Sequence, residues 1–427
     1  MKSSYNRLIE KHLSELMREA PAIAIDGLKG VGKTVSSKRL ARTVFELDRE
    51  SDAIVVTNDM DRLGKLPPPI LLDEWQKVPR VWDYVRRDVD ERAEPGRYLL
   101  TGSIANTDIS LHSGAGRILR VRMFPLSLAE RGKKPPTVSL LKLFESATPF
   151  SGEIGGETDF AFPDYFREIA ASGLPGLRHY SPHMRGRMLE SYLENLLTHE
   201  FMQQGIRLRQ PQTLLRWLKS YAAAVATDAG YSEILDASTP GEGSKPAAKT
   251  AIAYREALGN LWLLDELPAW TDGGGYVSKL KITPKHYLAD PAFAANLLGI
   301  DAEILSDTIG AETRFDAKYG SILGRLFESL AHLCLRVYGS VGQAALSFMR
   351  TRDGAHEVDF IVQRGRKTIA VEVKLAPSAN DNDVRHLAWL RQKMGAGLQD
   401  ALVLTTGRLA YRRPDGIAVV PLALLGA

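Results

Sequence analysis

The chain has 427 residues, of which 44% are hydrophobic and 25% are charged, and its formal net charge is +4. These fractions are typical of a globular protein in water, and the length predicts about two to four domains. The single cysteine, Cys334, excludes a disulfide framework and a cysteine metal site. No apolar run approaches the length of a membrane span, so we expect a cytoplasmic protein with no membrane partner. The mild basic bias permits nucleic-acid binding without requiring it.

Apolar residues at helical spacing predict an amphipathic helix over residues 5–18. The segment that follows, AIAIDGLKGVGKT at 22–34, reads as an apolar strand, a glycine-rich turn and a new helix. The spacing G-x-x-x-x-G-K-T is that of a phosphate-binding loop, whose N–H groups and helix dipole bind phosphate. We expect Lys33 to reach the β and γ phosphates of ATP and Thr34 to bind Mg²⁺. The residues predicted to bind the nucleotide are Gly27, Gly30, Val31, Gly32, Lys33, Thr34 and Val35.

The next apolar stretches are interpreted as one helix and two strands. The helix after the loop is predicted to extend as far as Phe45, and residues 53–56, AIVV, to form a buried strand. Residues 70–74, ILLDE, form an apolar strand that ends in two carboxylates, where a parallel strand emerges at the ligand edge of its sheet. Alone this ending is weak evidence, but after a phosphate-binding loop it becomes strong. We expect Asp73 to hold Mg²⁺ through water and Glu74 to orient and deprotonate the attacking water.

Two further strands carry candidate catalytic residues. Residues 98–100 lead into Thr101, which would lie beside the γ-phosphate and report its hydrolysis; an ordinary strand exit is the alternative. Residues 114–123 place Arg117 after two glycines at the start of a fifth strand. We interpret Arg117 as a candidate arginine finger, in its own chain or from a neighbouring subunit. A surface arginine that begins a strand fits the same pattern.

The order of these motifs resembles that of the bacterial and archaeal AAA-type ATPases that carry a C-terminal domain of unknown function. The motifs are the phosphate-binding loop, LLDE at 71–74, LTGS at 100–103, GR at 116–117 and FPLSLAE at 124–130. The resemblance covers nearly the whole chain. It implies an α/β fold in which residues 1–135 form an AAA-type ATPase core with a parallel P-loop sheet.

The middle of the chain reads as a connector and a helical module. Residues 136–205 are predicted to be a linker and a helical lid, with the lid helix over 184–203. Residues 206–292 predict helix, short helix, helix and a hairpin with strands at 261–264 and 276–282, which is a winged-helix outline. A winged helix that packs only against protein is the alternative to one that binds DNA. The basic residues expected near DNA phosphates are Lys245, Lys249 and Arg255.

Residues 310–427 contain a second constellation of charged residues. Glu328 lies on a predicted helix, Asp359 on a strand, and Glu372 and Lys374 on the strand that returns after a turn at Gly365. Hairpin geometry brings Asp359 opposite residues 371–372, so three carboxylates could hold Mg²⁺ while Lys374 polarises a scissile phosphate or positions water. This resembles the PD-(D/E)XK nucleases, with valine in place of the proline of that name. A degenerate site used only for binding is the alternative.

The sequence therefore predicts a Mg²⁺-dependent ATPase coupled, through a winged-helix module, to a restriction-endonuclease-like domain that acts on nucleic acid, with DNA preferred. The other hypothesis is a regulatory ATP-binding switch protein with an inactive nuclease-like domain and a protein partner. A small-molecule P-loop kinase is disfavoured, because Glu74 follows Asp73 and further domains are appended. A homo-oligomer is left open. The predicted catalytic residues are Lys33, Glu74, Thr101, Arg117, Glu328, Asp359, Glu372 and Lys374.

Overall fold

The structure is a computed structural model, which describes residues 5–103, 114–132, 135–201, 211–238, 248–271, 282–300 and 317–427. The chain divides into two compact units. The first is Met1–Phe124 with Asn260–Trp262, and the second is Pro125–Gly259 with Leu263–Ala427. The lid, winged-helix and nuclease-like segments of the sequence analysis therefore lie almost wholly in one unit. Among the described residues of that unit, none belongs to the five-stranded sheet.

The first unit is built on a five-stranded parallel sheet with helices between the strands. Its elements are α1 Leu8–Leu16, β1 Ala22–Asp26, α2 Lys33–Leu40, β2 Thr43–Glu46, α3 Glu50–Asn58, β3 Ile70–Asp73, α4 Arg80–Arg92, β4 Tyr98–Thr101 and β5 Ile118–Arg122. The strand order is β2-β3-β4-β1-β5. Every residue of β1, β3 and β4 is buried, as the near-continuous apolar runs of central parallel strands require. The predicted parallel sheet is confirmed.

Two sequence predictions in this unit are wrong. The helix after the loop ends at Leu40, and residues 43–46 form the edge strand β2, which pairs with β3. Residues 53–56, predicted to be a strand, lie in α3. Their β-branched side chains favour a strand by propensity, but Ile54 and Val55 are 52% and 43% exposed, so only one face of the segment packs on the core.

The second unit contains a six-stranded mixed sheet, a two-stranded sheet and helices. Its helices are α5 Leu140–Glu145, α6 Phe162–Ala170, α7 Pro182–Asn195, α8 Pro211–Ala223, α9 Tyr231–Ala237, α10 Ala248–Asn260, α11 Pro291–Leu297, α12 Ala317–Val341 and α13 Asp381–Met394. Its strands are β6 Val138–Ser139, β7 Ala345–Arg350, β8 Glu357–Arg364, β9 Lys367–Val373, β10 Leu398–Thr405, β11 Tyr411–Arg412, β12 Ala418–Pro421 and β13 Leu425–Gly426. The large sheet has the order β11-β12-β10-β9-β8-β7, and β6 pairs with β13.

Three helices, α8 to α10, lie where the winged-helix outline predicts them. The predicted wing strand 276–282 and Lys245 lie almost wholly outside the described residues. The described backbone instead pairs Leu264 with Leu288 and Leu267 with Lys285, both antiparallel. The winged-helix assignment therefore stays a prediction. The predicted lid helix corresponds to α7 and the helical turn Leu196–Glu200 that continues it.

The predicted C-terminal hairpin is formed by β8 and β9. Arg364 pairs with Lys367 across a two-residue turn, in which Gly365 has a φ of +60°. Helix α13 packs on β9 and β10, and the core between them contains Val358, Ala370 and Leu387. Residues 268–270 extend this sheet beyond β7, because the Trp270 N–H donates to the Phe348 carbonyl at 2.6 Å and the Phe348 N–H to the Pro268 carbonyl at 3.0 Å.

Within the described ranges, none of the helices is both long enough and apolar enough to cross a bilayer.

Candidate functional site

The loop between β1 and α2 has the backbone of an anion-binding nest. Gly27, Gly30 and Gly32 have φ values of +143°, +82° and +104°, which strain other residues. A Cβ on Gly27 would also lie 2.3 Å from the Met123 carbonyl oxygen. Of the two valines in the predicted set, Val31 is buried and Val35 is 58% exposed. The loop is therefore shaped by its glycines, with N–H groups available at the start of α2.

Lys33 is buried at the centre of this loop. Its ammonium donates to the Gly27 carbonyl at 2.7 Å and to the Leu28 carbonyl at 3.0 Å. Burial lowers the pKa of Lys33 to about 8, against the opposing charges of Glu74, Asp26 and Asp73. A phosphate group in the loop would accept the same protons and favour the charged ammonium.

Three predicted residues meet at the carboxyl edge of the parallel sheet. The Thr34 hydroxyl donates to Asp73 Oδ1 at 2.9 Å, and the Thr101 hydroxyl donates to the same oxygen. Asp73 pairs with Thr101 in the strand register, and Thr101 pairs with Ile25 of β1, so these side chains adjoin the loop. A hydroxyl and a carboxylate side by side are hard oxygen ligands, and they fit Mg²⁺.

Glu74 is held by two residues that the sequence analysis missed. Its Oε1 accepts a hydrogen bond from the Ser103 hydroxyl at 3.1 Å, and its Oε2 accepts one from the Gln76 side-chain amide. The backbone of Glu74 has a φ of +52°, a left-handed conformation that costs a residue with a Cβ about 1–2 kcal/mol. Ser103 ends the LTGS motif and could have been found from it, whereas Gln76 follows no recognisable pattern.

Arg117 does not lie at the loop in its own chain. Ile118 pairs with Ala22, the first residue of β1, so Arg117 lies at the sheet edge opposite the phosphate-binding loop. Its Nε donates instead to Asp90 Oδ1 at 2.7 Å. The prediction that Arg117 acts as an arginine finger in its own chain is therefore wrong, because the amino ends of parallel strands face away from the ligand edge. The finger from a neighbouring subunit stays a prediction.

A different arginine of β5 reaches the loop. Arg120 Nε donates to Asp26 Oδ2 at 2.8 Å, and Asp26 is the last residue of β1 before Gly27. Burial raises the pKa of Asp26, while the hydrogen bond and charge of Arg120 oppose that shift. The signal that could have found this pair is a charged residue ending an otherwise apolar strand.

The second unit brings the predicted C-terminal residues together around a lysine that the sequence analysis missed. Lys285 Nζ lies 3.2 Å from Glu328 Oε1, 3.1 Å from Asp359 Oδ1 and 3.0 Å from Glu357 Oε1. The Lys285 side chain is only 3% exposed. Tyr287 also donates to Glu328 Oε1, at 2.6 Å. We call the four carboxylates, Glu328, Glu357, Asp359 and Glu372, together with Lys285 and Lys374 the carboxylate cluster.

The remaining contacts of the carboxylate cluster lie on β9. Lys374 Nζ donates to Glu372 Oε2 at 3.2 Å, and the Val373 N–H donates to Asp359 Oδ2 at 3.0 Å. Burial, and then the negative charge of Asp359, raise the pKa of Glu372 well above its ordinary value. Burial also raises the pKa of Glu328 to about 7, although Lys285 opposes it. Burial by itself would also raise the pKa of Asp359, but Lys285 and the Val373 N–H hold that pKa below its ordinary value.

The prediction that Glu328, Asp359, Glu372 and Lys374 share one site agrees with these contacts. The prediction that the carboxylates hold Mg²⁺ does not. In the part of the chain that the structure describes, no group of three His, Cys, Asp or Glu residues is arranged to hold a metal ion. Lys285 donates hydrogen bonds to both Glu328 and Asp359, so an ammonium already lies between these two carboxylates.

Comparison with known proteins bears on the first unit most directly. Residues 19–131, which include the loop, Asp73, Glu74 and Thr101, match a family described as AAA domain. The first unit contains a P-loop ATPase-type domain. Residues 163–304 and 323–425 match two families that are each described as a domain of unknown function, DUF8612 and DUF4143. The carboxylate cluster lies within these two matches, and neither description assigns it a chemistry.

The chain is also similar to longer sequences and to a solved structure. Two uncharacterized proteins, from Mycobacterium bovis and Mycobacterium tuberculosis, are each 24% identical over 371 residues, or 85% of this chain and 72% of theirs. A Walker-type ATPase of Pyrococcus abyssi is 16% identical with a TM-score of 0.37, over 67% of this chain and 94% of that one.

Proposed function

We propose that the protein is a Mg²⁺-dependent ATP hydrolase. The observation that carries the proposal is the convergence on Asp73 Oδ1 of the Thr34 and Thr101 hydroxyls, beside the buried Lys33. This arrangement supplies a phosphate cradle, a metal-binding pair and a polar contact at the γ-phosphate position, which are the parts that phosphoryl transfer requires.

The roles of the residues follow from their contacts. The loop N–H groups and the Lys33 ammonium bind the β and γ phosphates, for which Lys33 gives up its bonds to the loop carbonyls. Mg²⁺ held by Thr34 and Asp73 would neutralise charge on the phosphate oxygens. Glu74, oriented by Ser103 and Gln76, accepts the proton of the attacking water.

The test separates nucleotide binding from turnover. Lys33→Ala should abolish the binding of a fluorescent ATP analogue, whereas Glu74→Gln should keep that binding and lose phosphate release. Glu91→Gln, on the exposed side of α4, is the matched control and should behave like the parent. Phosphate release at the parental rate from the Glu74→Gln variant would refute the assignment of the base.

For the second unit we propose a nucleic-acid partner, with DNA preferred over RNA. What supports it is a basic edge beside the carboxylate cluster. His356 Nδ1 lies 3.3 Å from His386 Nδ1, and Arg385 Nε lies 3.0 Å from His386 Nε2. Burial, followed by the charges of Arg385, His356 and Lys374, lowers the pKa of His386. Arg385 is the fixed cation of this edge, and a guanidinium attracts the phosphates of a polyanion.

The basic residues first expected to contact DNA support this partner less. Lys245 is outside the described residues, Lys249 is exposed, and the Arg255 guanidinium lies 4.4 Å from the centre of the Tyr231 ring. Affinity for a labelled duplex, measured by fluorescence polarisation, should therefore fall more for Arg385→Glu than for Lys249→Glu. Lys11→Glu, on exposed α1, controls for net charge. Binding that is unaffected by Arg385→Glu and by added salt would contradict the proposal.

Two functions can be proposed for the second unit, and they differ in whether it cuts nucleic acid. A metal-dependent nuclease coupled to the ATPase would need Mg²⁺ among the carboxylates. The contacts of Lys285 favour the other form, a regulatory ATP-binding switch with an inactive nuclease-like domain. Incubation of DNA and RNA with Mg²⁺, with and without ATP, distinguishes the two, since only the nuclease form yields cleavage products.

A further inference from the structure

The carboxylate cluster already contains its own cations. Its carboxylates are Glu328, Glu357, Asp359 and Glu372, and its cations are the ammonium groups of Lys285 and Lys374. We infer that Lys285 is the resident cation of this cluster and takes the position that a divalent metal ion would need. The inference rests on the proposed nuclease-like character of the second unit and specifies why that unit would be inactive.

The backbone fixes the position of Lys285. Its N–H donates to the Leu267 carbonyl at 3.0 Å, and its carbonyl accepts from the Leu267 N–H at 2.9 Å. The ammonium also lies 5.7 Å from the centre of the Phe348 ring, within the range of a cation–π contact. A lysine that is fixed at its backbone and buried along its stem cannot swing into solvent without exposing apolar surface.

The ammonium and a metal ion cannot occupy the cluster together. Mg²⁺ needs carboxylate oxygens at about 2.0–2.1 Å in octahedral geometry. The oxygens of Glu328 and Asp359 that such an ion would share are 3.2 Å and 3.1 Å from Lys285 Nζ. A divalent ion between them would lie against the ammonium charge in a poorly hydrated site, where like charges repel strongly.

The oxygens of Glu328 and Asp359 that lie nearest Lys285 already accept hydrogen bonds from the protein. Glu328 Oε1 accepts from Lys285 and Tyr287, while the two oxygens of Asp359 accept from Lys285 and from the Val373 N–H. Lys285 also contacts Glu357, and Lys374 contacts Glu372, so each ammonium already lies against carboxylates of the cluster.

The experiment is a Mn²⁺ titration of the full chain, followed by electron paramagnetic resonance. Asp73→Asn is present throughout, so that the ATPase site does not contribute. In the chain that keeps Lys285, we expect Asp359→Asn to leave the number of bound Mn²⁺ ions unchanged. Lys285→Met, which keeps the length of the side chain but removes its charge, should gain one Mn²⁺ site, and adding Asp359→Asn should abolish it. Lys393→Met, at an exposed position on α13, is the control and should gain none.

Two results would overturn the inference. One is a Mn²⁺ site in the chain with Lys285 that disappears in Asp359→Asn. The other is a folded Lys285→Met chain that gains no site. If Lys285→Met does not fold, the comparison of the first two chains still decides, because it needs no change at Lys285. DNA affinity of the unmodified protein is measured separately, so failure of the proposed partner is distinguishable from failure of this inference.

Discussion

The buried ammonium of Lys33 should make ATP affinity depend on pH. Because burial lowers the pKa of Lys33 to about 8, the free protein loses this charge in mildly alkaline solution. A bound phosphate favours the charged form and so raises the pKa. The bound state then holds more protons than the free state, and affinity must fall as pH rises above about 8. Below that value both states are protonated, and Lys33 contributes no pH dependence.

The magnitude follows from the size of the shift. A return of the Lys33 pKa from about 8 to its ordinary value of 10.5 is worth about 3 kcal/mol, at about 1.4 kcal/mol per pH unit. Between pH 7 and pH 9.5 the dissociation constant should rise about 30-fold. At pH 8.5 about three-quarters of the free protein carries a neutral Lys33, so binding should take up about 0.75 of a proton.

Isothermal titration calorimetry with ATP at pH 8.5 measures this proton uptake. The titration is repeated in two buffers of different ionisation enthalpy, and the difference between the observed enthalpies gives the number of protons. Lys29→Met, which changes the exposed lysine of the same loop, is the control and should keep the uptake. Equal enthalpies in both buffers, together with an affinity that is constant from pH 7 to pH 9.5, would show that Lys33 stays charged in the free protein.

Three further predictions concern single side chains. Thr101→Val removes one of the two hydroxyls that donate hydrogen bonds to Asp73. We expect kcat to fall by about tenfold, which corresponds to about 1.4 kcal/mol, while ATP binding is retained. An unchanged kcat would contradict the role given to Thr101. Lys285→Met leaves buried carboxylates without their cation and should destabilise the second unit by about 3 kcal/mol, read as a lower midpoint of urea unfolding; an unchanged midpoint would mean that the ammonium contributes no net stability. Arg117→Ala should leave turnover of the monomer unchanged, because Arg117 contacts Asp90 at the far sheet edge; size-exclusion chromatography with ATP identifies the monomer, and a loss of its turnover would refute this placement.

The phosphate-binding loop and the strands around it could be predicted because their signals are local. The loop residues are contiguous in sequence, and the apolar strand before Asp73 is buried from end to end. The same local reasoning failed at residues 53–56, which were predicted to be a strand from their β-branched side chains. They form part of a surface helix, because packing one face of that helix on the core outweighs their strand propensity. Arg117 was misplaced for a geometric reason, since only the carboxyl end of a parallel strand reaches the ligand edge.

The carboxylate cluster could be predicted only in part. Asp359 and Glu372 lie on adjacent strands of one hairpin, so alternation and the turn at Gly365 place them together. Lys285 is 43 residues from Glu328 and 74 residues from Asp359 along the chain. No periodicity or motif spacing relates positions so far apart, and only the folded backbone around Leu267 brings this lysine into the cluster.

The short backbone pairing of residues 268–270 with Phe348 has a consequence for how the protein behaves at high concentration. Strand β7 ends the order of the six-stranded sheet, and an unpaired edge strand presents N–H and C=O groups on which another chain can add. The Phe348 N–H and carbonyl are already used within the chain. At the other edge β11 is only two residues long. Both margins of the sheet are thereby poor templates for strand addition, which protects the second unit against aggregation through its β-structure.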